Sequence, residues 1–414
     1  MHSEQPTAPS LPGRRATWIM LLALGTAFAL SQAYRTAAAM MANQLQRDFA
    51  LSAQQLGLFA GIFHFSFGGL QLLMGIGIDF QGVRRTILAA FPLTAAGALL
   101  SALAPQYGLV LLGQALIGIG CAPAFLVCTV FIAKRFPPSQ FASVSGLVMG
   151  LGGLGMLLTG TPLAWVVGAS SWRTAFLVLA AGSALAWVAI FALVRESAPA
   201  IRPHGESVLS AARKFAALFA MPHTLGIVAL GAVTYAAFIT LRGLWLGPLL
   251  IERYGFSLLQ SGNVALAVSV ASLLGPPVFG RLDPHAQTRR RWIVAFALAM
   301  AGMFVLLAFA RDPWMGVAGS LLIGFFTGFV VWQYADVRLA YPEALTGRAM
   351  AVFTMAMFLG IALMQSLTGA VASMAQARQT DPFTAVLLAV AALLLAGALA
   401  FAWLPGPRPA GERA

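Results

Sequence analysis

The sequence predicts an all-α integral membrane fold: twelve transmembrane helices in two pseudo-symmetric six-helix bundles. Three observations carry this reading. Hydrophobic residues make up 60% of the 414 positions, only 9% are charged, and apolar runs long enough to cross a bilayer recur twelve times. A soluble domain of this length needs far more charge to cover its surface, so most of the outside must face lipid. The 25 basic residues against 12 acidic ones do not mark a nucleic-acid binder, because they sit in short loops between apolar runs and form no patch.

Spanning the hydrocarbon core takes roughly 20 mostly apolar residues in a helix. Runs of that kind lie at 16–42, 53–78, 84–104, 107–133, 142–168 and 174–194, then at 223–250, 258–280, 292–310, 314–336, 348–374 and 382–404. Glycines and prolines inside them are tolerated because neighbouring helices satisfy the backbone. The expected organisation is a tail (1–15), a six-helix bundle (16–195), a polar linker (196–222), a second bundle (223–404) and a second tail (405–414). Within the linker, Ser207–Ala220 has the pattern of a short surface helix. Residues 1–13 are polar and the first apolar run is too long for a cleaved signal, so the first helix is expected to remain as an anchor.

Orientation follows from the loops. With the N-terminus inside, 18 of the basic residues face the cytoplasm and five face outward, namely Arg47, Arg173, Arg253, Arg311 and Arg378. That bias places both termini in the cytoplasm, and a bacterial inner membrane is the expected location. Two basic residues remain inside spans, Arg35 and Arg242.

The halves are internally similar. Ser52-x-x-Gln55-x-Gly57 opens the second span and Ser257-x-x-Gln260-x-Gly262 the eighth. Asp79 follows Gly57 by 22 residues and Asp283 follows Gly262 by 21; Arg35 precedes Ser52 by 17 and Arg242 precedes Ser257 by 15. Leu158-Thr159-Gly160 and Leu367-Thr368-Gly369 recur at a similar offset. In order along the chain, these matches indicate a duplicated six-helix unit.

The loop after the second span reads Gly75-Ile-Gly-Ile-Asp79-Phe80-Gln81-Gly82-Val83-Arg84-Arg85. It resembles the signature loop of the major facilitator superfamily, with Phe80 where the family carries its first basic residue; the resemblance extends over essentially the whole chain. The resemblance implies the major facilitator fold and alternating access to a site between the halves. It assigns Asp79, Gly82, Arg84 and Arg85 to a gating loop, Asp283 to its degraded second copy, and Asp336 to a gate on the same side. Gly82 would permit the turn, and Arg84 and Arg85 would hold the loop at the anionic membrane face. In the fourth span Gly118 and Gly120 fit the family, but Gln114 stands where an arginine is usual. Trp172-Arg173 resembles the family's entry to the sixth span and suits an interfacial anchor.

An ionisable side chain inside a span is costly and marks function by default. In the family fold the first and seventh helices both line the central cavity, so Arg35 and Arg242 are expected to face it from opposite halves. Guanidinium groups suit a carboxylate or phosphate, and Arg35 with Tyr34 resembles the first-span signature of anion:cation symporters, the pair of arginines that of organophosphate antiporters. The bland alternative is that each arginine snorkels to the outer surface. Helical spacing adds Phe28, Tyr235 and Phe238 to the site, with His64 and Gln71 sharing one face of the second span. His64 is either a titrating group or a hydrogen-bonded packing histidine. Trp332, Gln333 and Gln365 are further cavity candidates. Met350, Met355, Met357 and Met364 read as lipid-facing packing, and Cys121 and Cys128 as small buried apolar side chains.

No nucleophile–base constellation, metal-ligand cluster or nucleotide loop is present in the sequence, so neither an enzyme nor a cofactor is expected. The expectation is a monomeric secondary transporter in the lipid bilayer. It would carry a small organic anion, either a carboxylate or a phosphate ester, with a coupling proton or an exchanged anion. A proton-driven exporter of lipophilic compounds and a permease for siderophores or other metal chelates are the alternatives.

Overall fold

Each copy of the Ser-x-x-Gln-x-Gly repeat starts a membrane helix in the computed structural model, which describes residues 13–195, 217–282 and 284–405. The Ser52 hydroxyl accepts the Gln55 N–H at 3.2 Å while the Gln55 side chain accepts the Ser52 N–H at 2.9 Å. Ser257 and Gln260 repeat this at 3.2 and 2.8 Å. Both are reciprocal capping boxes, which satisfy two of the amide donors every helix start leaves open.

Eleven helical stretches among the described residues are long and apolar enough to cross a membrane. With the divided second span they are α1 (Arg14–Phe49), α2 (53–79), α3 (Phe80–Leu103), α4 (Tyr107–Arg135), α5 (Ser143–Ala169), α6 (Trp172–Leu193), α7 (Pro222–Arg253), α8 (Leu258–Arg281), α9 (Ala286–Phe309), α10 (Pro313–Ala340), α11 (Leu345–Ala377) and α12 (Pro382–Trp403). The second span is divided because the helix Ala53–Gly69 ends at Leu70 and another begins at Gln71. Gly82, with φ of 86°, turns the chain from α2 into α3, a conformation a side chain would disfavour. Large apolar side chains such as Leu185, Leu306 and Leu363 stand exposed on the outside, as lipid contact requires. The surface helix expected at Ser207–Ala220 falls mostly outside the described residues, as do Asp283 and the side chain of Asp79, so their gating assignment remains a sequence expectation.

Two seams join the halves. α2 lies along α11, α8 lies along α5, and α1 crosses α7. The glycines that close the repeat motif stand at these seams. A side chain on Gly57 would strike the backbone of Gln365 and Gly369, and one on Gly262 would strike Ala164 and the backbone of Thr161 and Gly160. Close approach of small residues replaces the hydrophobic drive that lipid cannot supply.

Hydrogen bonds between the halves gather on one side of the molecule. We term the face where α1 begins the terminal face and its opposite the far face. On the far side Gln54 N–H donates to Ser373, Asn43 to Glu252 and Thr161 to Asn263, at 2.8, 3.0 and 2.7 Å. Towards the terminal face the helices part. A side chain at Gly153 of α5 would strike Leu273 of α8, whereas at Gly150 and Gly146, one and two turns further along, it would meet nothing. The α5–α8 seam is thus packed at Gly153 and parted at Gly150 and Gly146.

Candidate functional site

Both intramembrane arginines are buried, so neither snorkels. Arg242 is wholly buried and lies in a π-helical turn, Leu241–Trp245, within α7. Its Nε donates to the Ala265 carbonyl and the Ser269 hydroxyl of α8, at 3.0 and 2.9 Å. Its Nη2 crosses to the other half, reaching the Met156 carbonyl at 3.2 Å and the Thr159 hydroxyl at 3.4 Å on α5.

Although the Thr159 hydroxyl donates to the Met156 carbonyl at 2.9 Å, that carbonyl has no backbone N–H on it because α5 is broken. Its first helix ends at Leu158 and the second starts at Thr161, with Pro162 in the opening turn. Pro162 has no N–H for the Leu158 carbonyl. The Gly160 N–H, which would continue the helix to Met156, bonds Leu157 instead at 3.0 Å. The interrupted turn thus presents the negative end of a helix to a guanidinium.

Arg35 has a different environment. It is 6% exposed, and its guanidinium carbon lies 4.5 Å from the ring centres of both Phe67 on α2 and Phe358 on α11. The two rings pack on each other with centroids 4.5 Å apart, so the cation rests on an aromatic pair built from both halves. The Tyr235 hydroxyl on α7 interacts with the guanidinium, while Nε has no partner. Among the described residues the ion pairs involve Arg253, Arg290 and Arg311, and neither Arg35 nor Arg242 meets a carboxylate. Two cation–π contacts offset part of the desolvation of such a charge, about 2 kcal/mol when water is excluded, but not all of it.

The expected confrontation of the two guanidinium groups across one chamber is therefore corrected. Each leaves its own helix towards a different seam, Arg35 into α2–α11 and Arg242 into α8–α5. These seams correspond under the duplication, yet they treat the charge differently. α11 lies within one continuous helix, Glu343–Ala377, so it presents no broken turn to Arg35.

Of the other expected site residues, His64 and Gln365 do meet, across the α2–α11 seam. His64 Nδ1 lies 3.1 Å from Gln365 Oε1 and 3.2 Å from the Ala60 carbonyl, and His64 Nε2 and Gln365 Nε2 are buried without partners. His64 is also within electrostatic range of Arg35.

The rest brace single halves. Tyr34 bonds Ser183 of α6 at 3.0 Å, and Gln71 donates to the Ala122 carbonyl of α4 at 3.2 Å. Phe28 packs on Phe125, and Phe238 is buried beside Tyr235. Trp332 donates to the Phe279 carbonyl at 2.8 Å amid an aromatic cluster. Gln333 accepts from Thr234 at 3.1 Å, and Asp336 pairs with Arg290 of α9 at 3.4 Å. Arg84 caps the end of α6 through the carbonyls of Val194 and Phe191, at 2.6 and 3.0 Å, whereas Arg85 is exposed. Trp172 is no interfacial anchor: it is buried against Phe49 and Phe176, with its indole N–H on Asp48 at 2.7 Å. Met357 and Met364 are buried too, not lipid-facing, because α11 packs on α2 as well as on its own half.

Comparison with known proteins decides the family. A family model described as Major Facilitator Superfamily matches residues 21–364 and 248–414. The chain belongs to that superfamily. This facilitator is a membrane transporter and not an enzyme. It is 24% identical over 323 residues to a protein of Bacillus subtilis named "Hexuronate transporter", a match covering 72% of this chain and 75% of the relative. It is 24% identical over 315 residues to the "Probable sulfoacetate transporter SauU" of Cupriavidus necator, covering 70% and 72%. Among solved structures, a bacterial homologue of the human lysosomal transporter Spinster, titled as inward-facing and occupied, aligns with a TM-score of 0.73 at 14% identity, over 94% of this chain and 96% of that one. That likeness establishes the fold.

Sequence reasoning on this facilitator missed Phe67, Phe358, Ser269 and Thr159. The signal for Thr159 was the Leu-Thr-Gly repeat itself; the two phenylalanines had none, because aromatic residues are common on every helix of the chain.

Proposed function

We propose that this facilitator moves a small organic anion by alternating access, and that Arg35 is its anion-binding group. One observation carries this: a buried guanidinium resting on an aromatic pair from both halves, with an unpartnered Nε and no carboxylate among the described residues; Arg242 also has an unpartnered Nη1, but its Nε and Nη2 are already committed to α8 and α5. An anion that reaches Arg35 supplies the missing counter-charge, and the unpartnered His64 Nε2 and Gln365 Nε2 offer further polar contacts nearby. Neutralising Arg35 lowers the cost of enclosing it, which favours the closed arrangement around bound cargo. The relatives named for a hexuronate and for sulfoacetate favour a carboxylate or sulfonate over a phosphate ester. We place the terminal face in the cytoplasm of a bacterial inner membrane, from the distribution of loop arginines and lysines. His64 is the candidate for a coupling proton; anion exchange is the other source of drive.

The test is uptake or counterflow of labelled glucuronate and sulfoacetate in proteoliposomes. Arg35→Gln should abolish it with insertion unchanged, and full transport of both anions by that variant would overturn the reading. A second reading, efflux of lipophilic compounds, draws on 31% identity over 155 residues to the "Multi-drug resistance efflux pump PmrA homolog" of Lactococcus lactis. Ethidium transport that survives Arg35→Gln would favour it.

A further inference from the structure

The asymmetry between the two arginines has a mechanical meaning. Arg242 is held by α8 through Nε and reaches α5 through Nη2, so it ties the two halves across the α5–α8 seam. The interruption of α5 at Thr159–Gly160 leaves the Met156 carbonyl without its helical N–H, and the Thr159 side chain adds the second inter-half acceptor. The π-helical turn gives α7 an extra residue per turn at this point, a feature often found at functional positions in helices. Thr159 is itself bonded to Thr36 of α1 at 2.6 Å, which fixes the broken end of α5 to its own half.

We propose that Arg242 is a latch that holds the far face shut, and not a second ligand for the cargo. When the α5–α8 seam opens towards the far face, Met156 and Thr159 move with the first half while Ala265 and Ser269 move with the second. The Nη2 bonds must then break and the Nε bonds need not. The device is one-sided, because the corresponding α2–α11 seam has an unbroken α11 and offers Arg35 aromatic rings instead of backbone acceptors. The proposal rests on the reading of Arg35 as the cargo's only arginine, and it implies a cargo that presents one anionic group at a time to the protein.

The experiment measures distance between the halves and anion binding in the same variants. Spin labels on Ser170→Cys and Leu259→Cys, both exposed at the far ends of α5 and α8, report opening of that seam. Arg242→Met should move the label-pair population towards long distances, changing the open-to-closed ratio about tenfold, the equivalent of one charge-assisted hydrogen bond. Arg242→Lys, with a donor that reaches one acceptor, should restore part of the shift. Thr159→Val should move it in the same direction by less, and supplies the test if Arg242→Met fails to fold. Binding of glucuronate, read by thermal shift, should survive Arg242→Met within several-fold and vanish in Arg35→Gln. An unchanged distance distribution in both Arg242→Met and Thr159→Val would overturn the latch. So would loss of glucuronate binding in Arg242→Met equal to that in Arg35→Gln. Binding retained in Arg35→Gln defeats the cargo reading instead, and leaves the distance measurement to judge the latch alone.

Discussion

The carbonyl of Arg35 lies against Gly243, so the two intramembrane arginines stand back to back where α1 crosses α7. A Cβ placed on Gly243 would come within 2.8 Å of that carbonyl oxygen. This contact lets the two helices approach, while Arg35 leaves towards Phe67 and Phe358 and Arg242 towards Ser269 and Thr159.

Gly243→Ala should therefore push α1 and α7 apart. Overpacking of this kind costs about 1–3 kcal/mol, because the obstacle is backbone and cannot rotate away. The expected result is a lower thermal unfolding temperature together with longer distances between the far-face labels. A variant as stable and as closed as the parent would contradict the packing described.

Phe358 touches Arg35 from the opposite half. Phe358→Ala removes one face of the aromatic support and should weaken glucuronate binding about tenfold, within the range of a cation–π contact between exposed and fully desolvated. Phe358→Tyr keeps the ring and should bind near the parental level. Equal loss in both variants, measured by titration calorimetry, would show that ring electrostatics are not involved.

At the far face Asp381 lies just outside α12, paired with Arg253, 3.5 Å from Arg311 and bonded to Thr384 at 2.6 Å. Burial by itself raises its pKa, but the hydrogen bonds from Thr384 and Arg253 and the Arg253 charge outweigh it and hold the group below the ordinary value of 3.8. A carboxylate depressed in the folded state stabilises above its unfolded pKa, and the contribution is lost as pH falls through the folded one. Melting temperature should thus drop between neutral pH and pH below 3.8, and Asp381→Asn should flatten part of that drop. A parallel acid profile in the two proteins would refute the assignment.

Arg84 and Arg85 are adjacent but unequal. Arg84→Ala uncaps the last turn of α6 and should cost about 1–3 kcal/mol, visible as earlier thermal unfolding. Arg85→Ala removes an exposed side chain and should change stability by no more than about 0.5 kcal/mol. Equal effects would mean that the charge of the pair matters and the capping does not.

What was legible beforehand tracks how local each feature is. The helix starts at Ser52 and Ser257 and the turn at Gly82 depend on residues a few positions apart, so pattern alone located them. The partners of Trp172, Met357 and Met364 are on other helices, and there the interfacial and lipid-facing readings failed. His64 and Gln365 were each picked out, but their pairing across 301 positions has no sequence signature.

Helix number, the duplication, and the two charges that the bilayer makes conspicuous were determined by the sequence by itself, since hydropathy over twenty residues and repeated spacing are properties of a single strand of text. The direction of each charge was decided only by the tertiary structure. A guanidinium on a long side chain goes where acceptors or rings await it. Here those were a broken turn of α5, 83 positions before Arg242, and an aromatic pair assembled from both halves beside Arg35.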